Sequence, residues 1–184
     1  MKKTQGFTLF ELLISIAIMG IITSIALPNL SEFLVKMRVD NQVSQVYRIL
    51  LSARNAAIAS EAPVTVCPLN SSNVCSTSWG NELSAFIDFD ADGNYEPGSN
   101  EQLIKIKEAI KSDDKLQFPR NKVTYEANGR LTGFANGTFS YCPKDNADLS
   151  RGVIVYRSGR AYTSSDIDND GKEETRSGSE ITCS

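Results

Sequence analysis

The side chains in this sequence that could do chemistry are mostly carboxylates. Two segments share the pattern D-x-D-x-D-G-x-x-E. One runs from Asp88 through Asp90, Asp92 and Gly93 to Glu96; the other runs from Asp166 through Asp168, Asp170 and Gly171 to Glu174. Oxygen ligands at positions 1, 3 and 5, a glycine at 6 and a carbonyl at 7 suit a hard cation such as Ca²⁺. The glutamate that an EF-hand places at position 12 is missing, because Ser99 and Ser177 stand there. The candidate calcium ligands are Asp88, Asp90 and Asp92 in one loop, and Asp166, Asp168, Asp170 and Glu174 in the other. Ordinary solvated turns use the same residue types, since Asp, Asn and Gly are what tight turns require. No other cofactor is expected.

The remaining chemistry is narrow. The chain has 184 residues and no histidine, which removes Ser-His-Asp and Cys-His catalysis and every His-ligated metal. No catalytic constellation remains, so the chain reads as a non-enzyme. With 19 Lys plus Arg against 22 Asp plus Glu, the net charge of -3 does not favour a nucleic-acid binder held by bulk electrostatics. Arg120, Lys122, Arg130, Arg151, Arg157 and Arg160 could form a basic patch, but DNA is not expected as a partner.

The elements that must position these residues begin with residues 7–27, which are apolar except for a few small polar residues and one charge, Glu11. About 20 apolar residues span a hydrocarbon core as a helix. Lys2 and Lys3 precede the run, so the N-terminus should face the cytoplasm and the rest should lie outside. The apolar core is too long for an ordinary cleaved signal peptide. A carboxylate inside such a segment costs about 2.5–3.5 kcal/mol on insertion scales, so Glu11 should have a partner or a function.

Lys2-Lys3-Thr4-Gln5-Gly6 followed by Phe7-Thr8-Leu9-Phe10-Glu11-Leu12 resembles a type IV pilin or pseudopilin leader. The resemblance implies cleavage by a prepilin peptidase between Gly6 and Phe7, and N-methylation of Phe7. It assigns Glu11 to subunit assembly, with the N-terminal amine of the adjacent subunit as its partner. Residues 1–6 would be the leader peptide and 7–27 the transmembrane and filament-core helix.

The helical pattern continues beyond Pro28. Leu30, Phe33, Leu34 and Met37, then Val43, Val46, Tyr47, Leu50, Leu51, Ala57 and Ile58, recur at spacings of three and four. Residues 28–61 are therefore expected to continue the helix, bent or locally interrupted at Pro28, for roughly 80 Å in all. From 62 to 184 the texture changes to short runs between turns. Strands are expected at 64–67, 83–89, 102–107, 122–126, 138–142, 152–157 and 160–163, with hairpin signals at Asn128-Gly129 and Ser158-Gly159. The fold class is α+β: a pilin-like long N-terminal helix, membrane-spanning in its first half, packed on an antiparallel β-sheet head.

Cys67, Cys75, Cys142 and Cys183 lie on the non-cytoplasmic side of this topology, where disulfides persist. Four cysteines allow three pairings. The preferred one is Cys67–Cys75, closing a short loop, with Cys142–Cys183 tying the tail to a strand. A four-cysteine zinc site is the alternative, without any CxxC to support it.

The head resembles the GspH/FimT-like minor pilins and pseudopilins, and within them the FimU type. The matching features are Val64-Thr65-Val66-Cys67-Pro68, Cys75, Trp79-Gly80, the Asp run about Phe89, Cys142, and 153–156 leading into Ser158-Gly159-Arg160. The resemblance implies a minor pilin that primes type IV pilus assembly within a tip complex and supports twitching or adhesion. Its partners would be other minor pilins, the major pilin, a tip adhesin, the prepilin peptidase and, before assembly, membrane lipid. It would sit in the inner membrane as a single-pass protein with a periplasmic head, and then in the pilus. A GspH-like pseudopilin of type II secretion and a FimT-like DNA-uptake pilin are the alternatives. FimT-type members carry Gly-Arg-x-Arg, whereas here Gly159-Arg160-Ala161-Tyr162 lacks the second arginine.

Overall fold

The computed structural model describes residues 6–183, apart from the side chains of 25–29. Lys2 and Lys3 lie outside the described residues. The chain divides into two compact units, 1–37 and 38–184. One helix, α1, runs from Leu9 to Ser60 and contributes to both.

In the first unit, every described residue of 6–24 is exposed. The aliphatic and aromatic side chains there have no core of their own. Among the described residues, no helix is long and apolar enough to cross a membrane. The membrane-spanning reading of 7–27 therefore rests on the sequence.

In the second unit, α1 buries Val39, Val43, Val46, Ile49, Leu50, Ala53 and Ala57. Apart from the adjacent Ile49 and Leu50, these recur every three or four residues and form one stripe. Leu51 and Ile58, expected on it, are exposed at 42% and 47% because they fall off its edge. Glu61, at φ 50, takes the left-handed conformation that closes a helix, and Pro63 follows with the first strand behind it.

Eight strands form two antiparallel sheets rather than one. They are β1 (Val64–Cys67), β2 (Leu83–Ile87), β3 (Leu103–Lys107), β4 (Lys115–Gln117), β5 (Val123–Tyr125), β6 (Gly137–Cys142), β7 (Arg151–Val155) and β8 (Ala161–Thr163). The orders are β3-β2-β1-β5 and β4-β6-β7-β8. β4 was not expected from the sequence; it is three residues long and pairs Lys115 with Cys142 and Gln117 with Ser140. Ser158-Gly159 makes the β7–β8 hairpin, with Tyr156 N–H donating to Arg160 O at 2.9 Å. Asn128-Gly129 also forms a turn, but it leads only to a single bridge between Tyr125 and Leu131.

The core between these elements is aromatic. Phe118 and Phe139 stack at 4.0 Å, and Trp79 stands edge-on to both. The Trp79 indole N–H donates to Arg120 O at 2.7 Å, so the buried ring leaves no unpaired donor. Two ion pairs fasten the helix to the second sheet. Arg38 meets Asp114 at 3.0 Å, and Asp114 also accepts from the Tyr141 hydroxyl at 2.5 Å. Arg151 of β7 bridges Asp40 of α1 and Glu173, the latter at 2.8 Å. Burial and the Asp114 carboxylate both push the Tyr141 phenol upward.

Candidate functional site

The N-terminal site is local. Thr8 immediately precedes α1 and Glu11 lies in its first turn. The Thr8 backbone N–H and hydroxyl donate to Glu11 Oε2 at 3.0 and 2.9 Å, and the Glu11 N–H donates back to Thr8 Oγ1 at 3.2 Å. This is a capping box, which satisfies free donors at a helix start reciprocally. T-x-x-E at 8–11 is the local sequence signal for this box, and Thr8 was not among the expected site residues. The box gives Glu11 partners within its own chain, and a carboxylate so engaged is cheaper to hold in an apolar segment. Phe7 is 89% exposed, and a Cβ on Gly6 would meet nothing within 4 Å. The fold itself therefore places no demand for glycine at position 6.

The two acidic loops differ despite their shared pattern. In the first, Asp88 follows β2 and is fully buried. Its Oδ2 accepts from Thr65 Oγ1 at 2.6 Å and from Gly93 N–H at 3.2 Å, while its Oδ1 is buried without a partner. Burial pushes its carboxyl above the usual range, against the pull of the Thr65 hydroxyl and of Lys122. Lys122 Nζ donates to Ala91 O at 2.6 Å, so an ammonium already stands in this loop. Asp90 and Asp92 complete a three-carboxylate cluster, which Glu96 does not join.

In the second loop, carboxylate oxygens of Asp166, Asp168, Asp170 and Glu174 all lie within 4.8 Å of one another. Asp166 accepts from Asn169 N–H at 2.7 Å and Gly171 N–H at 3.0 Å; Asp168 and Asp170 accept from the N–H groups two residues on. Backbone bonds between Ser165 and Glu174 close the loop at its base. Glu174 is only 4% exposed. Its Oε2 accepts from Ile167 N–H at 2.8 Å, and its Oε1 is buried without a partner.

The four cysteines form the preferred pairs. Cys67–Cys75 has a Cα separation of 5.5 Å and Cys142–Cys183 one of 6.1 Å, and none is left free for zinc. Several basic candidates are held in local contacts. Arg151 is in its ion pairs, Lys122 is on Ala91, Arg120 donates to Phe134 O, and the Arg157 guanidinium lies 5.0 Å over the Phe134 ring.

Known families match this chain at its start and across most of its second unit. Residues 1–27 match the prokaryotic N-terminal methylation motif, and residues 42–159 match the family model of type II transport protein GspH. A Pseudomonas aeruginosa fimbrial protein is 38% identical over 58 residues, which is 32% of this chain and 38% of that protein. A probable minor fimbrial protein of Dichelobacter nodosus is 44% identical over 61 residues, covering 33% of this chain and 34% of that one. The chain thus spans little more than a third of the length of these relatives. The crystal structure of the type IV minor pilin FimU of Pseudomonas aeruginosa superposes with a TM-score of 0.53 at 19% identity, over 71% of this chain and 90% of that one, a likeness of fold. A second FimU crystal form gives 0.52. With the methylation motif at its start and the family model across most of its second unit, the chain belongs to the GspH family of minor pilins and pseudopilins.

Proposed function

We propose that the chain is a minor pilin that primes type IV pilus assembly from the inner membrane, in a complex with other minor pilins near the filament tip. The observation that carries this reading is the N-terminal segment. A methylation motif leads into a helix start whose apolar side chains are exposed and whose one acidic side chain, Glu11, is held by Thr8. A helix that is apolar all round needs lipid or other apolar helices. In this reading the prepilin peptidase cuts between Gly6 and Phe7, Phe7 is methylated, and 7–27 anchors the chain with its head in the periplasm. On assembly, Glu11 exchanges its bond to Thr8 for the N-terminal amine of a neighbouring subunit. The major pilin and a tip adhesin are further expected partners, and twitching or adhesion the output.

Gly6→Ala tests the processing step cleanly, because the added methyl meets open space. Mass spectrometry should show the leader retained, and surface pili should be lost in a strain carrying only this variant. Normal pili would overturn the proposal. The family model's own description favours a second reading, a pseudopilin of type II secretion. Deleting the gene separates the two: lost pili with intact secretion supports the pilus role, and lost secretion with intact pili supports the other.

A further inference from the structure

We propose that the loop 166–174 is a calcium site, formed by Asp166, Asp168, Asp170 and Glu174, and that its sequence twin at 88–96 is not. The inference is independent of whether the chain serves a pilus or a pseudopilus.

Two observations separate the loops, and a third points to a ligand in the second. The second brings four carboxylates within 4.8 Å, against three in the first. The second loop's own lysine, Lys172, turns to Glu180 at 3.4 Å, whereas Lys122 reaches into the first loop and donates to Ala91 O. Finally, Glu174 is 4% exposed and carries a buried oxygen, Oε1, with no hydrogen-bond partner. A buried, unpartnered carboxylate oxygen is costly unless something positive meets it. Asp88 of the first loop also has such an oxygen, but that loop already holds the Lys122 side chain, bonded to Ala91 O.

The donor set selects the ion. All four side chains are hard oxygen donors, the chain has no histidine and its four cysteines are in disulfides, which disfavours zinc and copper. A flexible, many-oxygen loop suits Ca²⁺, while Mg²⁺ demands a stricter octahedron and sheds its water reluctantly. Three of the carboxylates are exposed, so affinity should fall in the range of extracellular modules, with Kd on the order of 10⁻⁴–10⁻³ M.

The test uses the full chain in detergent, stripped with EGTA and titrated with CaCl₂ alone by calorimetry, with thermal unfolding followed in parallel. The expected result is one Ca²⁺ per chain and a Tm that climbs with Ca²⁺ concentration. Glu174→Gln and Asp168→Asn should each weaken binding at least about tenfold, and Asp90→Asn should leave it unchanged. Because Glu174 is buried, its variant can fail to fold; Asp168 is exposed, and its variant alone then carries the test. No heat and no Tm shift up to about 10 mM Ca²⁺ overturns the proposal. So does binding that Asp90→Asn abolishes and Asp168→Asn preserves, or an equal response to Mg²⁺ at the same concentration.

Discussion

At Gly159 a single added carbon would collide with the backbone of another turn. A Cβ there would lie 1.8 Å from Gly129 O, and its φ of +76° is one that side chains rarely adopt. The same Gly129 carbonyl accepts from Arg54 Nε of α1 at 3.0 Å, so the two turns and the helix share one contact point. Gly178 has a similar φ of +81° but open space around it. Left-handed strain alone costs about 1–2 kcal/mol. Gly178→Ala should therefore cost about 1 kcal/mol, and Gly159→Ala about 3 kcal/mol or more. Urea denaturation of the two variants checks this, and equal losses would show that the turns do not press on each other. The sequence marked Ser158-Gly159 as a turn, since that signal is local. It could not show that Gly129 lies against it, a contact between residues thirty positions apart. Asp88 illustrates the same limit. Its acidic pattern is local, but its burial and its bond to Thr65 are set by strands distant in sequence.

The elements were legible to the extent that their patterns repeat. α1 repeats its apolar spacing over many turns and was expected nearly to its observed ends. β4 has three residues and no alternation long enough to register, and it exists because β6 offers an edge to pair with. β3 is a more telling element, an edge strand whose first four residues are exposed and whose last, Lys107, is buried. Burial lowers the Lys107 ammonium to about 8, with Glu108 opposing that shift, and Nζ donates to Glu108 O at 2.9 Å. An unfolded lysine titrates at 10.5, so between pH 8 and about 10 the unfolded chain binds more protons than the folded one. Stability attributable to Lys107 should rise with pH across that window, because the fold holds the neutral amine more readily. Above it the trend reverses, since burial pushes the phenols of Tyr125 and Tyr141 up and the unfolded phenols ionise first. Lys107→Met should remove the rise and increase stability at pH 7 by about 1–2 kcal/mol. Denaturation curves at pH 7, 8, 9 and 10 provide the measurement, and an unchanged slope in the variant would contradict the assignment.

At the scale of the whole molecule, the sequence separated an apolar N-terminal run from a polar head, because composition changes sharply between them. It did not separate the head into two sheets, since pairing partners such as β1 with β5 depend on long-range register. The disulfides follow that division. Cys67 ends β1 in one sheet, and its bond to Cys75 closes a separation of 8 residues. Cys142 ends β6 in the other, and its bond to Cys183 closes a separation of 41. In the chain-entropy model the first contributes about 2.5 kcal/mol and the second about 4 kcal/mol. The longer closure also holds the segment that buries Ile181 against Gly152 and seats Glu174, so local contacts add to its effect. Replacing Cys142 and Cys183 together by serine should thus destabilise the head more than replacing Cys67 and Cys75 together. It should also raise hydrogen exchange in the tail, at the amides of Glu174, Thr175 and Ile181 that are bonded in the intact chain. Replacing the Cys67 pair should leave those amides protected, because no bond from β1 reaches the tail among the described residues. Exchange in the tail that rises equally in both variants would mean that the head unfolds as one cooperative body, with neither bond acting on its own sheet.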